Sequence, residues 1–173
     1  LYSRWWQQLG EVGGVEKATH RQQINGEDSL ELVTPQVLTK GDRVLWRDGE
    51  RWREHVVSEQ GHLHHGGQTD TYTLNSSMME DLLLAHIQLV VMKQVTALEA
   101  LTLVLGQTTW EVGVVDDFGK ADLTLNKTDG YKALLEIAGT VGCEIESVIE
   151  VGPWGVEHRR INLLRRVGAD KGV

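Results

Sequence analysis

The residues able to do chemistry are few. His62-x-His64-His65 is the densest cluster; imidazole nitrogens bind zinc, copper or nickel, and Asp70 would add an oxygen. Gly61, Gly66 and Gly67 around it point instead to a solvated hairpin tip, so no metal is expected there. Glu54-His55 has the residue types of a general acid–base pair, but neighbours on a strand point to opposite faces and cannot act together. Asp116-Asp117 beside Gly119 reads as a polar turn, because no calcium loop with ligands at alternate positions surrounds it. The single cysteine, Cys143, excludes an internal disulfide framework and a cysteine-based zinc site, and it is expected as a buried small apolar residue. No Gly-x-Ser-x-Gly elbow, His-Glu-x-x-His helix or Gly-x-x-x-x-Gly-Lys phosphate loop is present, so no catalytic set and no cofactor are expected.

The whole chain has ordinary globular composition: 173 residues, 40% hydrophobic and 24% charged. Seventeen basic against 25 acidic residues gives a net charge of −8, which argues against direct binding to nucleic acid through a general positive field. The strongest apolar run, Leu82 to Met92, is interrupted by His86 and Gln88. It falls short of the roughly 18 residues a membrane-spanning helix needs, so no membrane insertion is expected. Leu1-Tyr2-Ser3-Arg4-Trp5-Trp6 lacks an initiator Met and a signal-peptide pattern, and Gly168 to Val173 has turn-like composition, so both ends are expected to be cuts through a longer polypeptide.

The elements that must position these residues change character midway. Asn25-Gly26, between Glu16–Gln23 and the alternating Ser29–Val33, predicts a hairpin with a tight or slightly bulged turn, and Pro35 limits its second strand. Asp48-Gly49 predicts another, with Val44–Arg47 and Glu50–Val57 as arms. A two-residue loop there sets Arg47 opposite Glu50, Arg43 opposite Glu54 and Leu45 opposite Trp52, while Trp46 lies on the other face opposite Arg51. Thr69 to Leu74 alternates as a further strand, closed by Asn75-Ser76-Ser77. Four or five short strands of this kind suggest a small antiparallel barrel or sandwich.

Beyond them the period becomes helical. Thr96-Ala97-Leu98-Glu99 is a capping-box pattern, with Ala97, Leu98, Leu101, Val104 and Leu105 as the apolar face, Gly106 as the stop and Trp110 to Val114 as the following strand. A similar unit has Thr128 or Asp129 as cap, an apolar face of Tyr131, Leu134, Leu135, Ala138 and Val141, and a strand from Cys143 to Val148. At an offset of 33, Ala100, Leu101, Val104, Gly106 and Glu111-Val112 match Ala133, Leu134, Ile137, Gly139 and Glu144-Ile145, which suggests two helix–strand units. Gly155 to Leu164 reads as a strand leaving them, and His158-Arg159-Arg160 with Arg165-Arg166 makes it basic. That strip is either a solvated face or a contact with an acidic neighbour.

Several segments together resemble the N-terminal hub region of phage tail-associated lysins, the minor structural or prophage endopeptidase tail proteins. They are Asn25-Gly26-Glu27-Asp28-Ser29-Leu30, Lys40-Gly41-Asp42-Arg43-Val44-Leu45-Trp46, Trp52 with Glu54-His55-Val56-Val57, Thr108-Thr109-Trp110-Glu111-Val112-Gly113, and Arg159-Arg160-Ile161-Asn162-Leu163 followed by Arg165-Arg166-x-Gly168. The resemblance covers nearly the whole chain. It implies an α+β, mainly β fold: an antiparallel β-barrel-like tube domain (1–88), an inserted helix–strand subdomain with two units (89–151) and a strand returning toward the hub (152–173). It implies a structural baseplate-hub component of the virion tail, made in the bacterial cytoplasm, joining tail tube to tail-tip and lysin parts. Partners would be other tail proteins and, in the full-length protein, two further copies in a trimer, with any lytic activity in a later C-terminal region. Trp46, Trp52, Arg159 and Arg160 are the candidate interface residues. The alternatives are a carbohydrate- or receptor-binding module using Trp5, Trp6 and Trp154, and a cell-wall hydrolase or peptidase.

Overall fold

The computed structural model describes residues 1–3, 8–62 and 69–166. Its chain forms two compact units, Leu1–Glu80 and Asp81–Val173. Among the described residues no helix is long and apolar enough to cross a membrane.

The first unit is built from β1 (Lys17–Gln22), β2 (Asp28–Thr34), β3 (Arg43–Asp48), β4 (Arg51–His62) and β5 (Asp70–Ser76), all paired antiparallel in the order β1-β2-β5-β4-β3. Alternation sends Leu30, Leu32, Val44, Val57, Tyr72 and Leu74 to one face, where they form a core with Leu38. Each such side chain contributes about 1.5–3 kcal/mol when fully buried. The Tyr72 hydroxyl, inside this core, accepts from the Leu38 N–H at 3.1 Å and donates to Asp70 Oδ2 at 3.3 Å, so its polar end is satisfied.

The expected first hairpin forms, with Gln22 opposite Asp28 and Asn25 at φ 51° in the loop, and β2 ends at Thr34 just before Pro35. The second hairpin forms with a corrected register. Asp48 faces Arg51, Arg47 faces Trp52, Trp46 faces Arg53 and Leu45 faces Glu54, so the two loop residues are Gly49 and Glu50. Gly49, at φ 60°, supplies the positive φ at the first loop position, which is the type II′ requirement, and Asp48 stays in the strand. Moving the loop by one residue leaves every side chain on its expected face, so Trp46 and Trp52 do lie on opposite faces. The ion pairs change: Asp48 meets Arg53 at 3.2 Å, and Arg43 reaches Glu54 along the diagonal at 3.7 Å.

Where the sequence leads one to expect a barrel-like domain or a sandwich, no closed barrel is found among the described residues. Within this unit β1 and β3 are the outer strands and, among the described residues, do not pair with each other; Tyr2 instead takes both backbone bonds of Arg43, each at 2.7 Å. The sheet nevertheless curls until side chains of the two ends meet. Arg53 Nη2 donates to Gln22 Oε1 at 3.1 Å, and the His20 and Trp46 rings stand 5.0 Å apart, edge to face.

The division between the units falls within α1 (Ser77–Leu83), a seven-residue helix that the sequence reading missed, with Ser76 Oγ accepting from the Met79 N–H. The second unit continues through β6 (His86–Ile87), β7 (Val90–Thr96), α2 (Ala97–Leu105), β8 (Glu111–Val115), β9 (Lys120–Leu125), β10 (Thr128–Asp129), α3 (Gly130–Val141), β11 (Glu144–Gly152) and β12 (Gly155–Leu164). Thr96 caps α2 through the expected capping box: its Oγ1 accepts from the Glu99 N–H, and Glu99 Oε2 accepts from the Thr96 N–H. Ala97, Ala100, Leu101, Val104 and Leu105 are buried, while Leu98, expected on that face, is half exposed because it sits about 100° round the helix from Ala97. Asp129 caps α3, and Gly142 at φ 71° ends it.

The offset of 33 is visible in the fold. Ala100, Leu101 and Val104 are buried like Ala133, Leu134 and Ile137, and Glu111 opens β8 as Glu144 opens β11. Gly106 and Gly139 do not correspond, since Gly106 ends α2 and Gly139 is exposed inside α3. Helices α2 and α3 lie over the β7–β9 pair, where Ala100, Ile137, Ala121 and Leu123 line one small space. Strand β12 has β11 antiparallel on one side and β8 parallel on the other.

Candidate functional site

In the curled first unit, four residues from four strands converge at one end of the core. His20 from β1, Asp28 from β2, Trp46 from β3 and His55 from β4 all occupy inward-facing positions, set by the pairings His20–Leu30, Val44–His55 and His55–Ser76. His20 Nε2 lies 2.7 Å and His55 Nε2 3.0 Å from the same oxygen, Asp28 Oδ1. The indole N–H of Trp46 donates to His55 Nδ1 at 3.1 Å. His55 is almost fully buried, with side-chain exposure of 1%, against 12% for Asp28 and 19% for His20.

An indole nitrogen only donates and an ionised carboxylate only accepts, so Trp46 and Asp28 together fix the protons between them. His55 Nδ1 carries the lone pair, its Nε2–H donates to Asp28, and His20 Nε2–H donates to the same carboxylate oxygen. Burial pushes the Asp28 carboxyl up, but the hydrogen bonds from His55 and His20 and their electrostatic pull on the carboxylate outweigh it and hold the group below the usual carboxylate range.

Two histidines and a carboxylate with ligand atoms within 4.8 Å of one another are the donor set of many metal centres. Their geometry does not fit one. Zinc bonds of about 2.0–2.1 Å keep tetrahedral donors about 3.3 Å apart, whereas two of these contacts are hydrogen-bond distances of 2.7 and 3.0 Å. A ligating histidine also donates its second ring N–H to an acceptor. Here that position faces a donor, Trp46. The sequence signal for this cluster was a histidine where alternation requires an apolar residue, at His20 and at His55; its partners could not be paired without the curl of the sheet.

The residues singled out from sequence lie as follows. Trp46 is partly buried against the core and belongs to this cluster. Trp52, on the opposite face of the hairpin, is partly buried with the Arg47 guanidinium 5.1 Å above its ring. Arg159 and Arg160 are adjacent on β12 and partly buried; Arg160 pairs with Glu111 at 3.4 Å and with Glu150. His158 meets Glu111 at 3.1 Å, which holds that carboxyl low. The basic strip is thus interleaved with acids of its own unit. Glu54 and His55 point to opposite faces, as strand geometry requires. His64 and His65, with Trp5 and Trp6, lie outside the described residues, as does the side chain of His62. Asp116 accepts from the Arg165 N–H at 2.8 Å and anchors the end of β12. The Cys143 thiol is buried, and burial pushes it up to about 11. Trp154, at the tip of the β11–β12 hairpin, is 94% exposed.

No family model matches the chain, and no curated protein matches it in sequence. Among solved structures it is similar to the prophage tail protein gp18 from Listeria monocytogenes EGD-e, with a TM-score of 0.70 and 11% identity over 93% of this chain and 49% of that one. It is also similar to the E. coli c3393 protein, a component of the type VI secretion system with structural similarity to the T4 bacteriophage tail proteins gp27 and gp5. That TM-score is 0.61, with 11% identity over 86% of this chain and 45% of that one. The chain spans about half the length of the structures it matches. At this identity the likeness is one of fold, and the chain has the α+β, mainly β fold of these tail and secretion-system proteins.

Proposed function

We propose that this chain is a non-catalytic, structural part of a phage or prophage tail, belonging to the baseplate hub that joins the tail tube to the tail-tip and lysin parts. The observation that carries the reading is the agreement in fold with a prophage tail protein along 93% of the chain. The resemblance of its segments to tail-associated lysins, drawn from sequence alone, points the same way. In this role the protein is made in the bacterial cytoplasm and built into the virion. It associates with further copies of itself, as a trimer in full length, and with other tail proteins. Trp52, Arg159 and Arg160 are contact residues, and Trp46 props the hairpin that carries Trp52.

The test is immunogold electron microscopy of particles from the bacterium that encodes the chain, with antibody raised against it. Label at the tail tip is the expected result. Intact tailed particles without label, beside abundant chain in the cytoplasm, would contradict the reading. A carbohydrate- or receptor-binding role has one observation in its favour, the exposed Trp154 at a hairpin tip.

A further inference from the structure

The first unit is an open sheet held at its seam by side chains, and the protons in that seam are arranged asymmetrically. His55 has one lone pair, on Nδ1, and the Trp46 N–H occupies it. A second proton on His55 must therefore enter at Nδ1, where it meets the indole N–H head on, and the bond to Trp46 is lost. His20 is bonded to Asp28 through Nε2 only, and its side chain keeps some solvent exposure. A second proton there leaves its bond in place and adds a charge opposite Asp28.

We propose that the Trp46–His55–Asp28–His20 chain is a proton-operated clasp on the β1–β3 seam, which releases Trp46 when His55 takes a proton and tightens on Asp28 when His20 takes one. The groups facing the clasp can be named for every strand around it. Strand β1 supplies His20 and the uncharged Gln22; β2 supplies Asp28; β3 supplies Asp48 beside Trp46; β4 supplies Arg53 beside His55; and β5 supplies only Ser76, opposite His55. Arg53 is held by Asp48 at 3.2 Å and Gln22 at 3.1 Å, which makes a second tie across the same seam. Arg53 stands two residues from His55 on the same face of β4, and Asp28 faces His55 at 3.0 Å. With the Trp46–His55 bond lost, β3 is joined to β1 only by the His20–Trp46 ring contact and the Asp48–Arg53–Gln22 tie among the clasp groups, so the seam loosens without parting.

The experiment is nuclear magnetic resonance of the 15N-labelled chain from pH 7.5 down to pH 5. The Trp46 indole signal is assigned by its loss in Trp46→Phe, and the amides of α2 and α3 serve as the control for global unfolding. The expected result is a fall of at least tenfold in the protection of the Trp46 indole and of β1 amides, beyond the intrinsic pH effect, while α2 and α3 stay protected. His55→Gln, which keeps a donor and an acceptor but takes no proton, should abolish that fall, and His20→Gln should deepen it. Protection unchanged until the whole chain unfolds overturns the proposal, as does a His55→Gln response equal to that of the parent. If His55→Gln does not fold, the ring nitrogens of the parent decide. A proton appearing on His55 Nδ1 as the Trp46 signal moves supports the clasp, and the same proton with that signal unmoved refutes it.

Discussion

At the scale of single residues, Asp28 is the group on which most of the seam converges. Its carboxylate takes two hydrogen bonds from histidines at 12% exposure, so its charge is used and not merely tolerated. Because its folded pKa lies below the unfolded value of about 3.9, its contribution is complete above that pH and is lost as the pH falls through the folded pKa. Asp28→Asn should lower stability at pH 7 by about 1.5–3 kcal/mol, the worth of hydrogen bonds to a charged group. Urea unfolding at a series of pH values should show that gap closing below about pH 4. A gap that stays constant into acid would mean the charge is not what matters. From sequence, strand parity already separated Glu54 from His55. The meeting of His20, Asp28 and His55 was not legible, because 8 and 27 residues separate the bonded partners and only the curl of the sheet closes the distance.

At the scale of elements, local chemistry decides most of what could be read. The capping box at Thr96 and the cap of α3 are interactions within three residues; the first is found where the sequence puts it, and of the two caps the sequence allows for α3, Thr128 and Asp129, the helix uses Asp129. Register is less local, and in the second hairpin it turned on which loop position the glycine occupies. Helix α1 was missed because its seven residues merge with the apolar run that follows and are too short to show a period. The bulge of β8 was equally invisible. Two residues of β8, Gly113 and Val114, oppose the single Asn162 of β12, whose Oδ1 accepts from the Val114 N–H at 2.7 Å and whose Nδ2 donates to Glu146 at 3.0 Å. A Cβ on Gly113 would lie 2.0 Å from Asn162 Oδ1. Gly113→Ala must therefore push that side chain off both partners, and should cost about 1–3 kcal/mol in denaturant unfolding. A loss under half a kilocalorie would show that the Asn162 bridge is dispensable.

At the scale of the whole molecule, the sequence shows its change of period and its two helix–strand units, and the fold carries both. What composition and pattern could not give is the open seam, since nothing in β1 or β3 announces that Tyr2 takes the backbone of Arg43. The chain matches about half the length of the structures it resembles, and the trimer is proposed for a longer protein of which such a chain would be one part. The central claim is that it serves as a self-associating scaffold in a tail. Light scattering of that longer protein across a concentration series tests it most directly. A mass three times that of one chain is the predicted result; a single-chain mass maintained at the highest concentrations would contradict the account.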